Sequence, residues 1–177
     1  MSSTDRGGAS EVVSGALGHA DALYNLARWL ARDPIEAEDL VQETFTRALA
    51  AAHQFEAGSN LKAWLLRILR NAYLDSRRRS KTEAAEPQAE NVDEIGPAEL
   101  ETVDESQSAQ IRAVVADEIA QAVRALPEIW RTVVILDLEG LTESEMASVL
   151  GCAEGTVKSR LSRARAVLRE RLAPHRP

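Results

Sequence analysis

Residues Leu141–Leu172 read LTESEMASVLGCAEGTVKSRLSRARAVLRERL, and the punctuation of this stretch decides the fold. Thr142 and Glu145 have the spacing of a capping box, so a helix starts there. Met146, Val149 and Leu150 supply its apolar face, and Gly151, just beyond, fits the left-handed residue that ends a helix. Thr156 is placed to cap a second helix. At about 100° per residue, Val157, Leu161, Ala164, Leu168 and Leu172 fall in one inward stripe. Lys158, Ser159, Ser162 and Arg163 lie opposite, and Arg160 and Arg165 sit on the flanks, where they would meet phosphates. Helix, glycine turn and basic helix make a helix-turn-helix, which sets a helix in the DNA major groove. Hydrogen-bond donors on one exposed face suit the edges of bases. By itself the second helix would also read as amphipathic with a solvated basic face; the capped helix before it is the independent signal.

The 177 residues allow one large domain or two small ones, and 45% hydrophobic content suits modest cores. A net charge of −7 argues against a general nucleic-acid coat, but the charge is segregated. Thr82–Glu105 holds nine acids and no base, whereas Arg67–Lys81 holds six bases against Asp75 alone. A single cysteine, Cys152, excludes an internal disulfide and reads as a small packing residue beside the turn. His19, His53 and His175 have no metal-ligand spacing, so neither a metal nor a cofactor is expected. No apolar run approaches membrane-spanning length and the first residues lack a signal peptide's hydrophobic core, so a cytoplasmic protein without membrane insertion is expected.

Small polar residues make 1–11 a disordered start. A helix is expected over Val12–Arg32 with Leu23, Leu26, Ala27 and Leu30 inward. Asp33-Pro34-Ile35-Glu36 is a helix start with Asp as cap, Pro in the first turn and Glu third. The helix it opens places Ala37, Val41, Phe45, Ala48 and Ala52 inward, with Glu36, Asp39, Glu43 and Arg47 outward and Leu40 among them. After a loop at Glu56–Ser59, Ser59 or Asn60 caps a third helix to about Arg79. Leu61, Trp64, Leu65, Ile68 and Ala72 form its core stripe. Lys62, Leu66, Arg70, Tyr73 and Arg77 form a second line of bases, an aromatic and an aliphatic, which suits a nucleic-acid strand; its alternative is a snorkelling surface with Tyr73 partly buried.

The architecture expected is therefore all-α: two small helical bundles, 12–81 and 111–177, the second containing the helix-turn-helix. A flexible acidic linker, 82–110, joins them; its roughly 28 residues reach on the order of 90–100 Å when extended. The second bundle opens near Ile111, runs through Ala125 and resumes after Pro127; Val133–Leu138 reads as buried helix rather than strand.

Three segments in order give this chain its resemblance to the extracytoplasmic-function class of bacterial sigma factors. AEDLVQETF (Ala37–Phe45) is similar to that family's core-polymerase-binding helix. NLKAWLLRILRNAYLDSRRR (Asn60–Arg79) is similar to its segment for the −10 promoter element, and EGTVKSRLSRAR (Glu154–Arg165) to its −35 recognition helix. The resemblance implies that Asp39, Gln42 and Glu43 face the clamp helices of the polymerase's largest subunit, with Leu40 and Arg47 as neighbours. It implies −10 contacts for Asn60, Lys62, Arg70, Asn71, Tyr73, Arg77 and Arg78, and capture of an unstacked base by the Glu56–Asn60 loop. On the helical wheel Asn71 lies nearer the core stripe than the Tyr73 line. For the −35 element it implies Thr156, Lys158, Ser159, Arg160, Ser162, Arg163 and Arg165. The partners so implied are core RNA polymerase, promoter DNA (duplex at −35, single-stranded at −10) and an anti-sigma factor; the linker would thread the polymerase's positive cleft. Phe55, Trp64 and Tyr73 are the aromatics of the −10 segment, and the family picture ties so few to weak melting and near-ideal promoters.

Two other functions fit parts of the sequence. A dimeric helix-turn-helix repressor or activator would leave the acidic AEDLVQETF face and the basic-aromatic line without a task. An adaptor would leave the basic helix merely solvated. An enzyme fits least, since no nucleophile, metal set or phosphate loop accompanies Asp39 and Glu43.

Overall fold

A computed structural model describes residues 3–31, 33–83 and 107–173, and every regular element among them is helical. In chain order these are α1 (Ser3–Gly15), α2 (Ala20–Leu30), α3 (Pro34–Ala50), α4 (Leu61–Glu83), α5 (Gln107–Arg124), α6 (Glu128–Leu138), α7 (Glu143–Leu150) and α8 (Glu154–Arg171). Short 3-10 turns, Ala16–His19 and Ala52–Gln54, join α1 to α2 and follow α3.

The largest departure from expectation is at the start. Residues 3–11 are helical rather than disordered, and the single helix expected over Val12–Arg32 is broken after Gly15. Gly8 is the physical reason that α1 docks: a Cβ there would fall 2.0 Å from the Phe55 carbonyl oxygen, so only glycine permits the approach. Val12 is fully buried beside it, and Glu11 accepts a hydrogen bond from the Gly58 N–H at 3.0 Å. Gly8, in a stretch whose small polar residues predict disorder, is in fact a packing notch.

Asp33 caps α3 as its spacing requires, its Oδ1 accepting from the Glu36 N–H at 2.9 Å, with Pro34 in the first turn. The buried stripe of α3 is Ala37, Leu40, Thr44 and Ala48, with Val41 and Phe45 half-buried. It is thus rotated relative to the expected stripe and takes Leu40 inward. Thr44 makes the rotation possible, because its hydroxyl donates to the Leu40 carbonyl at 2.7 Å and so is satisfied in the core. Asn60 caps α4, its Oδ1 accepting from the Ala63 N–H at 3.1 Å.

In the C-terminal bundle α5 begins four residues before the expected Ile111, and Val133–Leu138 is helical within α6. The Thr142–Glu145 capping box is fully formed, and Gly151 holds φ 62° at the end of α7. The central part of the acidic linker, residues 84–106, lies outside the described residues.

The two bundles pack directly on each other, α2 against α6 and α4 against α7. One apolar cluster runs through both, from Leu23, Leu26, Leu65 and Leu69 to Val133, Leu136, Met146 and Val157.

Candidate polymerase and nucleic-acid interfaces

α3 turns Asp39, Gln42 and Glu43 to solvent on the side away from its buried stripe. Leu40 is 9% exposed and belongs to the core, so it supports this face from beneath instead of lining it. Arg47 is held between two carboxylates: its Nε donates to Glu43 at 2.7 Å and its Nη1 to Asp75 of α4 at 2.8 Å. These two partners, Asp75 first, raise the Arg47 pKa, and Arg47 in turn holds the Asp75 carboxyl below its ordinary value. The pair ties α3 to α4, and it leaves Asp39 and the outer edge of Glu43 as the acidic part of the surface.

On α4 the structure separates the expected −10 residues into two groups. Asn71 and Arg78 are exposed, with Arg78 3.8 Å from Asp75. Arg67, on the same edge, is also exposed; it belongs to neither line of the α4 pattern, so periodicity alone does not single it out. Asn71 therefore lies on an open face, not near the core. The second group faces the C-terminal bundle. Tyr73 is buried and Lys62, Arg70 and Arg77 are half-buried, while Leu66 in the same line is fully buried. Burial pushes the Tyr73 phenol pKa up and the Arg70 guanidinium pKa down, the latter with Arg160 of α8 nearby as a second cation. The alternation of bases with Leu66 and Tyr73 here marks a packed seam between bundles.

The Glu56–Asn60 loop stands exposed beside α4, with Gly58 at φ 80° and the Ser59 N–H donating to the Glu56 carbonyl at 3.1 Å. Phe55 and Trp64 stack as a tilted pair, centroids 5.2 Å apart, which makes both structural supports for the loop.

On α8, Lys158, Ser159, Ser162 and Arg163 are exposed, while Val157, Leu161 and Ala164 are buried. Thr156 is not the cap. α8 starts at Glu154 with Ala153 preceding it and no side-chain cap, so Thr156 lies inside the first turn, its carbonyl accepting from the Ser159 hydroxyl. An acidic residue in the first turn complements the helix dipole without a capping side chain. Lys158 pairs with Glu143 at 3.2 Å and Arg165 with Asp137 at 2.7 Å, so both cations are anchored to neighbouring helices. Arg160 turns inward, its Nη1 3.8 Å from the Cys152 sulfur. Arg163 joins none of these ion pairs and projects from the centre of the face. A groove lined by Glu143, Lys158, Ser162, Arg165 and Arg169 runs along it.

These features define a two-bundle helical protein with a helix-turn-helix reader on one bundle and an acidic face and a basic edge on the other. Residues 17–83 match the sigma-70 region 2 family and residues 116–168 the sigma-70 region 4 family. The chain is 38% identical over 159 residues to the ECF RNA polymerase sigma factor SigE of Mycolicibacterium smegmatis, covering 89% of this chain and 60% of the relative. It is 38% identical over 133 residues to the ECF sigma factor EcfG of Rhodopseudomonas palustris, covering 75% of this chain and 68% of that one. Among solved structures, the sigma factor RpoE of Bartonella quintana, in complex with the anti-sigma factor NepR, superposes with a TM-score of 0.70. That match has 35% identity and covers 92% of this chain and 97% of the other. The chain belongs to the extracytoplasmic-function sigma factors.

Among the described residues no helix is long and apolar enough to cross a membrane, and no three His, Cys, Asp or Glu side chains converge as a metal site.

Proposed function

We propose that this protein is a non-catalytic initiation factor: it binds core RNA polymerase in the cytoplasm and directs it to promoters by reading the −35 and −10 elements. The observation that carries this reading is the pair of exposed faces of opposite character on separate bundles. Asp39, Gln42 and Glu43 form the surface for the polymerase, with Arg47 fixing Glu43. Lys158, Ser159, Ser162 and Arg163 form the base-reading surface for duplex DNA, with Arg165 and Arg169 beside phosphates. On α4 the open edge of Arg67, Asn71 and Arg78, next to the Glu56–Asn60 loop, is the first contact for the separated −10 strand. Lys62, Arg70, Tyr73 and Arg77 reach that strand only when the bundles part. An anti-sigma factor is the expected negative regulator, since the similar Bartonella sigma factor is seen bound to one.

Run-off transcription with purified core polymerase and a cognate promoter tests this reading. A specific transcript that depends on the protein is expected. Absence of that transcript on every cognate candidate, with tight binding to palindromic duplex by the protein alone, would instead make it a conventional repressor or activator. Within the −35 reader, Arg163→Ala is expected to cost roughly 1–3 kcal/mol and to relax sequence preference at one base pair. Equal loss on all sequences would reduce Arg163 to a phosphate contact.

A further inference from the structure

One face of α1 lies along the chain that joins α3 to α4. Gly7, Gly8, Glu11 and Gly15 share that face at helical spacing. A Cβ on Gly8 would stand 2.0 Å from the Phe55 carbonyl oxygen and 3.6 Å from the Ala57 nitrogen, and one on Gly7 would meet the Ala57 methyl at 3.6 Å. Further along, the Gly58 N–H donates to Glu11 Oε2 at 3.0 Å, and a Cβ on Gly15 would stand 3.0 Å from Leu61 Cδ2. Helix and loop thus run side by side from Phe55 to Leu61, with glycines allowing the close approach. Val12, fully buried next to Glu11, anchors the helix in the core.

The two ends of the loop are fixed without α1. Phe55 is buried and stacks on Trp64, and Asn60 Oδ1 caps α4. Within the loop, the Ser59 N–H and hydroxyl both donate to the Glu56 carbonyl, at 3.1 and 2.6 Å. The Gly58 N–H differs, because its acceptor comes from a residue 47 positions away. Gly58 also sits at φ 80°, a conformation that glycine adopts at little cost and leaves as readily. An acceptor at that N–H is what selects one shape for the turn. Glu56, Ala57, Gly58 and Ser59 remain exposed, so the outer side of the loop is open while its inner side is held.

We infer that Glu11 is a positioning residue for the −10 strand: α1 splints the Glu56–Asn60 loop through the Gly58 N–H and thereby sets which base the loop accepts. This role rests on the promoter-reading function proposed above. A base lifted out of the stack is read by the shape and hydrogen bonds of the site that receives it. A loop that samples several shapes accepts several bases, whereas a preorganised loop loses less conformational freedom on binding the base that matches it. Glu11 acts from behind the loop and touches no DNA. Its effect therefore falls on the choice of base, while the exposed Arg67 and Arg78 supply charge for the backbone of the strand.

Variants of the full chain test this. E11A removes the acceptor, E11Q keeps an oxygen for the Gly58 N–H, and G8A forces α1 away from the Phe55 carbonyl. V13A, at an exposed position on the opposite side of α1, is the control. Helical content by circular dichroism verifies folding in each. Amide exchange by NMR reads the loop directly: the Gly58 N–H should be protected in the parent, E11Q and V13A, and should exchange at least ~5-fold faster in E11A and G8A. Run-off transcription with core polymerase, on a cognate promoter and its single-base substitutions through both elements, reads base choice. The parent should prefer one base at the loop's −10 position by about 10-fold, and E11A and G8A should narrow that preference to ~2-fold or less. Preferences within the −35 element should stay as in the parent, and E11Q should keep the parent's choice throughout. Parent-like base choice in E11A or in G8A overturns the splint, as does an equal loss at every position of both elements. A Gly58 amide that exchanges as fast in the parent as in E11A also overturns it. A parent that makes no promoter-specific transcript fails at promoter reading itself, and the role in base choice falls with it, while Gly58 exchange still shows whether Glu11 holds the loop.

Discussion

Glu145 shows how much one side chain does in this protein. Its carboxylate accepts the Thr142 N–H at 2.7 Å, the Thr142 hydroxyl at 2.9 Å and the Asn60 amide at 2.6 Å. These bonds, the Thr142 backbone first, hold its pKa below the ordinary 4.5. A carboxyl whose folded value is depressed contributes stability that is present above its unfolded value and lost as pH falls through the folded one. Asp75, held down by Arg47, acts in the same direction. Urea unfolding as a function of pH should therefore show falling stability as the pH drops below about 4.5, and E145Q should flatten part of that slope. Thr142→Ala removes the oxygen that accepts the Glu145 N–H and should cost about 1 kcal/mol in the same assay, with α7 losing protection first.

The helices differ in how openly their sequences declare them. Most caps are legible: Asp33, Thr142 with Glu145, and Gly151 begin or end a helix as their spacing predicts, and Asn60, one of two candidates, starts α4, whereas Thr156 falls inside α8 instead of capping it. Local hydrogen bonds decide those positions, so nearby residues suffice to reveal them. What a face packs against was not legible. The basic-aromatic line of α4 has the composition of a strand-binding surface, and only the fold shows α7 and Glu128 lying over it. Leu40 and Thr44 hid for a similar reason, since a threonine whose hydroxyl bonds its own helix counts as apolar in the core. α1 is the extreme case, because its docking depends on a missing side chain. Gly8→Ala should detach α1, seen as lost amide protection over residues 3–15. Gly7→Ala, whose Cβ would meet only the Ala57 methyl at 3.6 Å, should be tolerated. Gly151→Ala forces a Cβ into the left-handed region and should destabilise the helix-turn-helix by roughly 1–2 kcal/mol.

Among the described residues the larger apolar cluster spans both bundles, and a smaller one, Leu126, Val134 and Ala164, lies within the second. α4 ends at Glu83 and α5 begins at Gln107, so residues 84–106 supply at most about 75–80 Å when extended. That reach is close to the separation of the two promoter elements, about 25 base pairs or about 85 Å along B-DNA. Deleting residues 87–98 should leave helical content intact while abolishing run-off transcription, because the shortened tether no longer lets both bundles touch DNA. Substituting the same twelve residues with a Gly/Ser sequence of equal length isolates reach from charge: retained transcription means that length alone matters. Finally, the two ends of the Asn60 amide have separate duties, Oδ1 starting α4 and Nδ2 joining Glu145. Parting the bundles breaks only the second bond. The first turn of α4 keeps its cap, so the motion is that of two preformed bodies swinging about a tether. Its speed then belongs to the microsecond-to-millisecond regime of domain motion and requires no refolding.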